Sequence, residues 1–205
     1  MVALSQKIAL ELVPELLDDS TAEKGWTHLQ QVVERGEGRI VANVIVRGLS
    51  GSKATASSGE ELLYPSEFDP PQVPKDIPKE KLAEVVKSWP LVGIRPSAFE
   101  TRKLGPKVET ELSASDDGVW VSGSITAQDV RLLRYAKYEV GVLASGEHLT
   151  VEMPIFHSLE SMLTVQLKAG QKLLFGVHNL PAGEGMELFI LRISTQRTGA
   201  AKQGK

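Results

Sequence analysis

Apolar residues along this chain recur mostly at every second position, the spacing of strands with one face buried. Ile40, Ala42, Val44 and Val46 alternate through Arg39–Arg47, and a turn at Ser50-Gly51 leads into a polar return strand over about Lys53–Leu63. Val119, Val121, Gly123, Ile125 and Ala127 alternate in the same way, as do Leu159, Ser161, Leu163, Val165 and Leu167. Asp116-Asp117-Gly118 lies between Lys107–Ala114 and Val119–Ala127, and Asp-Gly between alternating runs predicts a β-hairpin. Ala169-Gly170 turns the chain into Gln171–His178. Beyond the Pro181–Gly185 loop, Met186–Ser194 is apolar on both faces, as a central strand is.

The period changes near the N-terminus. Ile8, Leu10 and Leu12 alternate with Ala9, Glu11 and Val13 before Pro14; Leu4, Ile8 and Leu12 also fit a helix, but alternation ended by proline favours a strand. Asp18, Asp19 and Ser20 offer N-caps for a helix over Thr21–Arg35, with Trp26, Leu29, Val32 and Val33 on one stripe and Gly36 at its end. A short helix over Lys79–Ser88 is expected to dock Leu82, Val85 and Val86. These elements predict a mainly β (α+β) fold, an antiparallel sheet or sandwich with one packed N-terminal helix and a short connector helix. A single domain over 1–195, a proline-rich connector at 65–97 and a disordered tail at 196–205 complete the expectation.

Two proline-anchored patches stand out, Tyr64–Pro74 (YPSEFDPPQVP) and Pro96–Gly105 (PSAFETRKLG). Proline fixes its own φ and pushes the preceding residue toward extended geometry, so both read as stiff connectors that carry aromatic and charged side chains. Tyr64, Pro65, Glu67, Phe68, Trp89, Phe99, Glu100 and Arg102 form the candidate contact surface. Stacking of Tyr64, Phe68, Trp89 and Phe99 on a glycan or peptide is the alternative use of the same aromatics.

Composition narrows the function. A net charge of -3 supplies no basic field for a phosphate backbone, so nucleic acid is not an expected partner. Cysteine is absent, which removes disulfides, thiolate metal sites and cysteine catalysis. No run approaches the roughly 20 apolar residues of a membrane helix. Met1–Leu17 has no uninterrupted apolar stretch of the secretory kind, so a leader is expected to lie outside this chain.

Candidate chemistry is sparse. His28, His148, His157 and His178 lack the spacing of a helical zinc site, and His157 with Glu160 is the one pairing the sequence suggests. Asp116 and Asp117 are too few for calcium, which takes six to eight oxygens, and turn chemistry accounts for them. Glu109 and Glu111, two apart on a strand, read as a charged outer face rather than a glycosidase pair. Ser50-Gly51-Ser52 and Ser122-Gly123-Ser124 lack the strand–turn–helix of a nucleophile elbow, and Ala182–Gly185 lacks the lysine and helix of a phosphate loop. No catalytic residue, metal or cofactor is expected.

The order of motifs from Ile8 to Arg197 resembles the bacterial secretin C-terminal domain of type II and type III secretion systems, in its divergent Verrucomicrobia and Planctomycetes form. The resemblance rests on Glu11-Leu12-Val13-Pro14, Gly38 to Ser50-Gly51, Tyr64–Pro74, Pro96–Gly105, Pro154-Ile155-Phe156 and Gly170-Gln171. It implies a non-enzymatic protein of the bacterial periplasm or outer membrane. Such a protein would form homo-oligomeric rings, or dock to other secretion or type IV pilus components, and membrane association is left open. A soluble β-sandwich module binding an envelope glycan or peptide is the alternative. The alternation over Val119–Ala127 suits a membrane strand and a soluble sandwich equally.

Overall fold

A computed structural model describes residues 1–70, 79–81, 94–142 and 148–196. The fold is mainly β, as the alternation predicts, and among the described residues it has two helices: β1 (Val2–Leu4), α1 (Gln6–Leu17), α2 (Ala22–Glu34), β2 (Gly38–Ile40), β3 (Ser52–Ser57), β4 (Glu61–Asp69), β5 (Arg95–Lys103), β6 (Gly105–Ala114), β7 (Trp120–Val142), β8 (His148–Lys168), β9 (Lys172–Asn179) and β10 (Met186–Arg192). The chain divides into two compact units. The first comprises Met1–Ser58, Gly105–Asp129 and Ser158–Lys205; the second comprises Gly59–Leu104 and Val130–His157. β7 and β8 each contribute to both.

In the first unit, one sheet runs β2-β1-β10-β9. Val2, Leu4, Leu174 and Leu188 meet Ala9, Leu12 and Leu16 of α1 and Trp26, Leu29 and Val32 of α2 in one buried cluster. On the same sheet Phe175, Phe189, Leu173 and Leu191 pack with Ile125, Ala127, Leu159, Val165 and Leu167 of β7 and β8. β10 is thus buried on both faces, with Leu188 and Phe189 fully enclosed, as its two-faced apolar sequence requires. The Val119–Ala127 alternation is resolved by the same packing: Val121, Ile125 and Ala127 are core residues at 3%, 1% and 2% exposure, not a lipid-facing row.

The second sheet runs β3-β6-β7-β8, with β3 and β6 antiparallel from Ser52↔Leu112 to Ser57↔Lys107. Its hairpin is the Asp-Gly turn. Gly118 takes φ 72°, its N–H donates to Ser115 O at 2.8 Å, and Asp117 Oδ1 accepts from Val119 N–H at 2.9 Å and from the Ser115 hydroxyl. Gly123 is a second obligatory glycine. At φ 144°, a Cβ there would lie 2.0 Å from the Glu111 carbonyl oxygen.

The described residues of the second unit lie mostly in antiparallel β-ribbons. β4 pairs with β5 from Glu61↔Lys103 to Asp69↔Arg95, with register shifts between Pro65 and Phe68. The remainder is the part of β7 and β8 from Val130 to His157. Among the described residues its buried apolar side chains are Val130, at 5% exposure, and Pro154, and neither belongs to a buried core cluster.

Three expectations are corrected. Ile8–Val13 is helical, because Ala9, Leu12 and Leu16 bury a 3.6-period stripe while Pro14 sits on the exposed side, where the lost N–H costs least. Arg39–Arg47 is a strand only as far as Ile40; Val41 and Ala42 still bond Met1, and beyond them the N–H groups of residues 43–48 make no backbone hydrogen bond among the described residues. The proline-anchored patches are strands rather than connectors over the stretches Tyr64–Asp69 and Pro96–Lys103. A two-stranded ribbon leaves outward positions at which proline's missing donor goes unnoticed. Lys79–Lys81 forms a single 3-10 turn; the rest of the expected connector helix lies outside the described residues. So does the tail beyond residue 196.

Candidate contact surface

Alternation sorts the second unit's side chains onto faces. Tyr64 pairs with Glu100 and Pro65 with Phe99 in the β4–β5 ladder, so Tyr64 and Glu100 share one face while Pro65 and Phe99 share the other. The Tyr64 hydroxyl donates to Glu100 Oε2 at 3.0 Å, and that bond raises the phenol above its ordinary pKa. The Tyr64 ring lies 5.5 Å from that of Phe156 on β8, tilted by 59°, and the Arg102 guanidinium sits 5.6 Å over the same Phe156 ring. Tyr64, Glu100, Arg102 and Phe156 therefore form one aromatic and charged knot, three of whose members the sequence had singled out. Tilted rings and a guanidinium over a ring face are each favourable by about 0.5–1 kcal/mol at exposed sites.

The remaining candidates do not join this knot. Phe99 is 56% exposed on the opposite face, and Glu67 and Phe68 fall at the register shifts, opposite Ala98 and Pro96. Trp89 lies outside the described residues. Tyr64 and Phe99 point to opposite sides of one ribbon, so they do not make a common platform for stacking a glycan or peptide.

A row of residues in β7 and β8 completes the surface. Lys137 pairs with Glu152 at 3.1 Å and Glu139 with His148 at 2.9 Å, which sets these four on one face of the ribbon. Alternation then assigns Ala136, Tyr138 and Val140 of β7, and Leu149, Val151, Met153 and Ile155 of β8, to the other face. Tyr138 and Val140 are 47% and 52% exposed, and the β8 row is half-buried. Leu63, Leu133 and Tyr135 are exposed as well. The signal was present in the sequence, as four apolar residues at strict two-residue spacing ahead of Ser158.

Three of the four histidines have a partner close by. His28 of α2 contacts Glu15 of α1 at 3.2 Å, and His148 takes Glu139 across the ribbon, a pairing invisible to linear spacing. His178 Nε2 lies 2.9 Å from the Ser161 hydroxyl, which joins β9 to β8 between the sheets. A Cβ on Gly176 would come within 2.3 Å of that hydroxyl, so the glycine makes room for the link. His157 and Glu160, three apart on one strand, lie on opposite faces, and His157 Nε2 is buried without a hydrogen-bond partner among the described residues.

Two carboxylates are buried in the first unit, Glu187 completely and Asp129 at 3% exposure. The Met1 amine donates to Ala42 O at 2.8 Å; burial lowers its pKa, opposed by the charges of Glu187 and Asp129. Glu109 instead bonds Lys107 at 2.8 Å and Lys53 at 3.2 Å on the outer face of β6. Among the described residues, no group of three or more His, Asp or Glu side chains is arranged to hold a metal ion. Nor is any helix there long and apolar enough to cross a membrane, a statement that does not extend to strands. Two hollows on the described surface, one along Glu23, Lys24, Thr27, His28 and Gln31 of α2 and the other between Ser5, Arg39 and Glu184, are open to solvent.

Compared with protein-family models, with curated proteins and with solved structures, the chain matches none.

Proposed function

We propose that this is a non-enzymatic, secretin-like protein of the bacterial periplasm or outer membrane. In this reading it works by assembling with copies of itself, or by docking to other components of a secretion or type IV pilus machine. One observation carries the reading. Among the described residues, the second unit is a set of long β-ribbons with no buried core cluster, yet it displays Leu63, Phe99, Leu133, Tyr135, Tyr138 and Val140 to solvent. Exposed apolar rows on strands are a liability for a protein that stays alone, and they mark a surface that another surface covers.

The described residues of the second unit also bring no nucleophile, base and cavity together. Its side chains make ring stacks and ion pairs across strands, which is the chemistry of contact. The segment 148–157 matches the roughly 9–11 residues of a membrane strand, and its Leu149–Ile155 row suits a lipid or detergent environment as well as a protein one.

Light scattering after size separation, in buffer and in detergent micelles across a wide concentration range, tests the reading. Closed oligomers of defined size that grow in with concentration are expected. A monomer under every condition would overturn it.

A further inference from the structure

Residues 41–49 (VANVIVRGL) have the composition of a strand and no ladder. Val41 N–H donates to Met1 O and Leu49 O accepts from Ser52 N–H. Between them, the N–H groups of Asn43 through Gly48 make no backbone hydrogen bond among the described residues. Burial alternates along the run, with Val44 and Val46 half-buried and Asn43, Ile45 and Arg47 exposed. Ile45 and Leu49 are each 75% exposed. A β-branched run that leaves the N–H groups of Asn43–Gly48 without a backbone partner among the described residues, and Ile45 and Leu49 in water, is unsatisfied twice over.

The position of the run in the first unit limits what can satisfy it. The Leu49–Ser52 turn reverses the chain, and a Cβ on Gly48 would lie 2.8 Å from the Ala54 Cβ of β3. The Gly48–Leu49 end of the run therefore flanks β3, one margin of the β3-β6-β7-β8 sheet, while Val41 and Ala42 at its other end bond Met1. The other margin is β8, whose stretch Ser158–Lys168 pairs only with β7 and contains no proline. Its outward side chains are Ser158, Glu160, Met162, Thr164, Gln166 and Lys168, and Met162 is 72% exposed. Neither Arg47 nor Glu160 has an ion-pair partner among the described residues. An unpaired aliphatic strip with a free cation at one margin, and an open edge with a free carboxylate and a bare thioether at the other, are complementary. Being at opposite margins of one sheet, they meet only between two molecules.

Resting on the self-assembly reading above, we propose that the 41–49 strip of one copy docks along the Ser158–Lys168 edge of a second. The contact is head-to-tail: each copy offers one strip and one edge, so that a rotation that closes gives a ring. Backbone pairing supplies the affinity, and Ile45 and Arg47 against Met162 and Glu160 set the register.

The absence of cysteine makes the test clean. Full-length chains carrying Ile45→Cys are mixed with chains carrying Glu160→Cys, Met162→Cys or Thr164→Cys and oxidised with copper phenanthroline, with Glu23→Cys on the exposed side of α2 as control. The 45×162 mixture, or one of its 45×160 and 45×164 neighbours, should give cross-linked dimer at least tenfold above 45×45, 162×162 and 45×23. That excess should arise only at concentrations where the protein assembles. Charge reversal by Arg47→Glu or Glu160→Arg should raise the assembly concentration roughly two- to fivefold, and combining the two should restore it. Oligomers that form without any 45×(160, 162, 164) excess would overturn the docking and leave self-assembly standing. A monomer at every concentration would overturn both, and dominant 45×45 cross-linking would replace head-to-tail contact with a two-fold one.

Discussion

The two units of this chain solve the problem of apolar surface in opposite ways. The first encloses it: a sheet sandwiched between two helices and a second sheet buries Leu12, Leu188, Phe189 and Ile125 to 1% exposure or less. The second, among the described residues, carries its apolar rows on two-stranded β-ribbons and gathers none of them into a buried core cluster. A ribbon of this kind is marginal by itself in water and needs a further sheet, helix or molecule against its apolar face. The difference teaches where to look for work. Most residues of the first unit hold the fold, its 41–49 strip and Ser158–Lys168 edge apart, whereas the described ribbons of the second leave whole apolar rows uncovered.

One substitution made in both units sharpens this contrast most. Phe189→Ala removes a fully buried ring in the first unit and should cost about 3–5 kcal/mol in chemical denaturation. Phe156→Ala removes a half-buried ring in the second, where the loss should be about 1 kcal/mol, mainly its contacts with Tyr64 and Arg102. Equal costs would break the comparison.

Gly123→Ala should come next. The φ of 144° and the 2.0 Å approach to the Glu111 carbonyl force β6 and β7 apart, for a cost of roughly 1–3 kcal/mol read as a lowered denaturation midpoint. An unchanged midpoint would mean that the hairpin of the first unit is as forgiving as the ribbons.

The smallest effect is electrostatic. Hydrogen bonds and charge from Lys107, then Lys53, hold the Glu109 carboxyl below its ordinary range. Its folded pKa is depressed, so the contribution to stability is present above the ordinary carboxylate value and fades as pH falls through the lower folded value. Glu109→Gln should flatten that part of the acid limb of the stability–pH curve, and because the group is exposed the change should be slight. A large change would mark the outer face of β6 as more than a solvated charge row.

How much of this was legible beforehand follows from which contacts are local. The Asp-Gly hairpin, the stripe and closing Gly36 of α2 and the two-faced burial of β10 were readable, since each is written within a few residues, whereas α2 starts from Thr21 rather than from a side-chain cap by Asp18, Asp19 or Ser20. α1 was misread because Pro14 looked like a terminator, although the Ala9–Leu12–Leu16 stripe leaves it on the outside. The β4–β5 pairing joins residues about 36 apart across a proline-rich stretch, and no local rule connects Tyr64 with Glu100. The same limit hid Phe156 and the Glu139–His148 pair, whose partners are chosen by the ladder. Conversely, the 41–49 run showed strong strand character that the chain alone leaves unpaired.

Amide hydrogen exchange, followed at dilute and at concentrated protein, tests the central claim most directly. β9 and β10 should be protected at both concentrations, as core strands are. Residues 61–69, 95–103, 130–142 and 148–157 should exchange readily when dilute and become protected as oligomers form. If the ribbons are as protected as β10 in the dilute monomer, the second unit has stability of its own and the account is wrong.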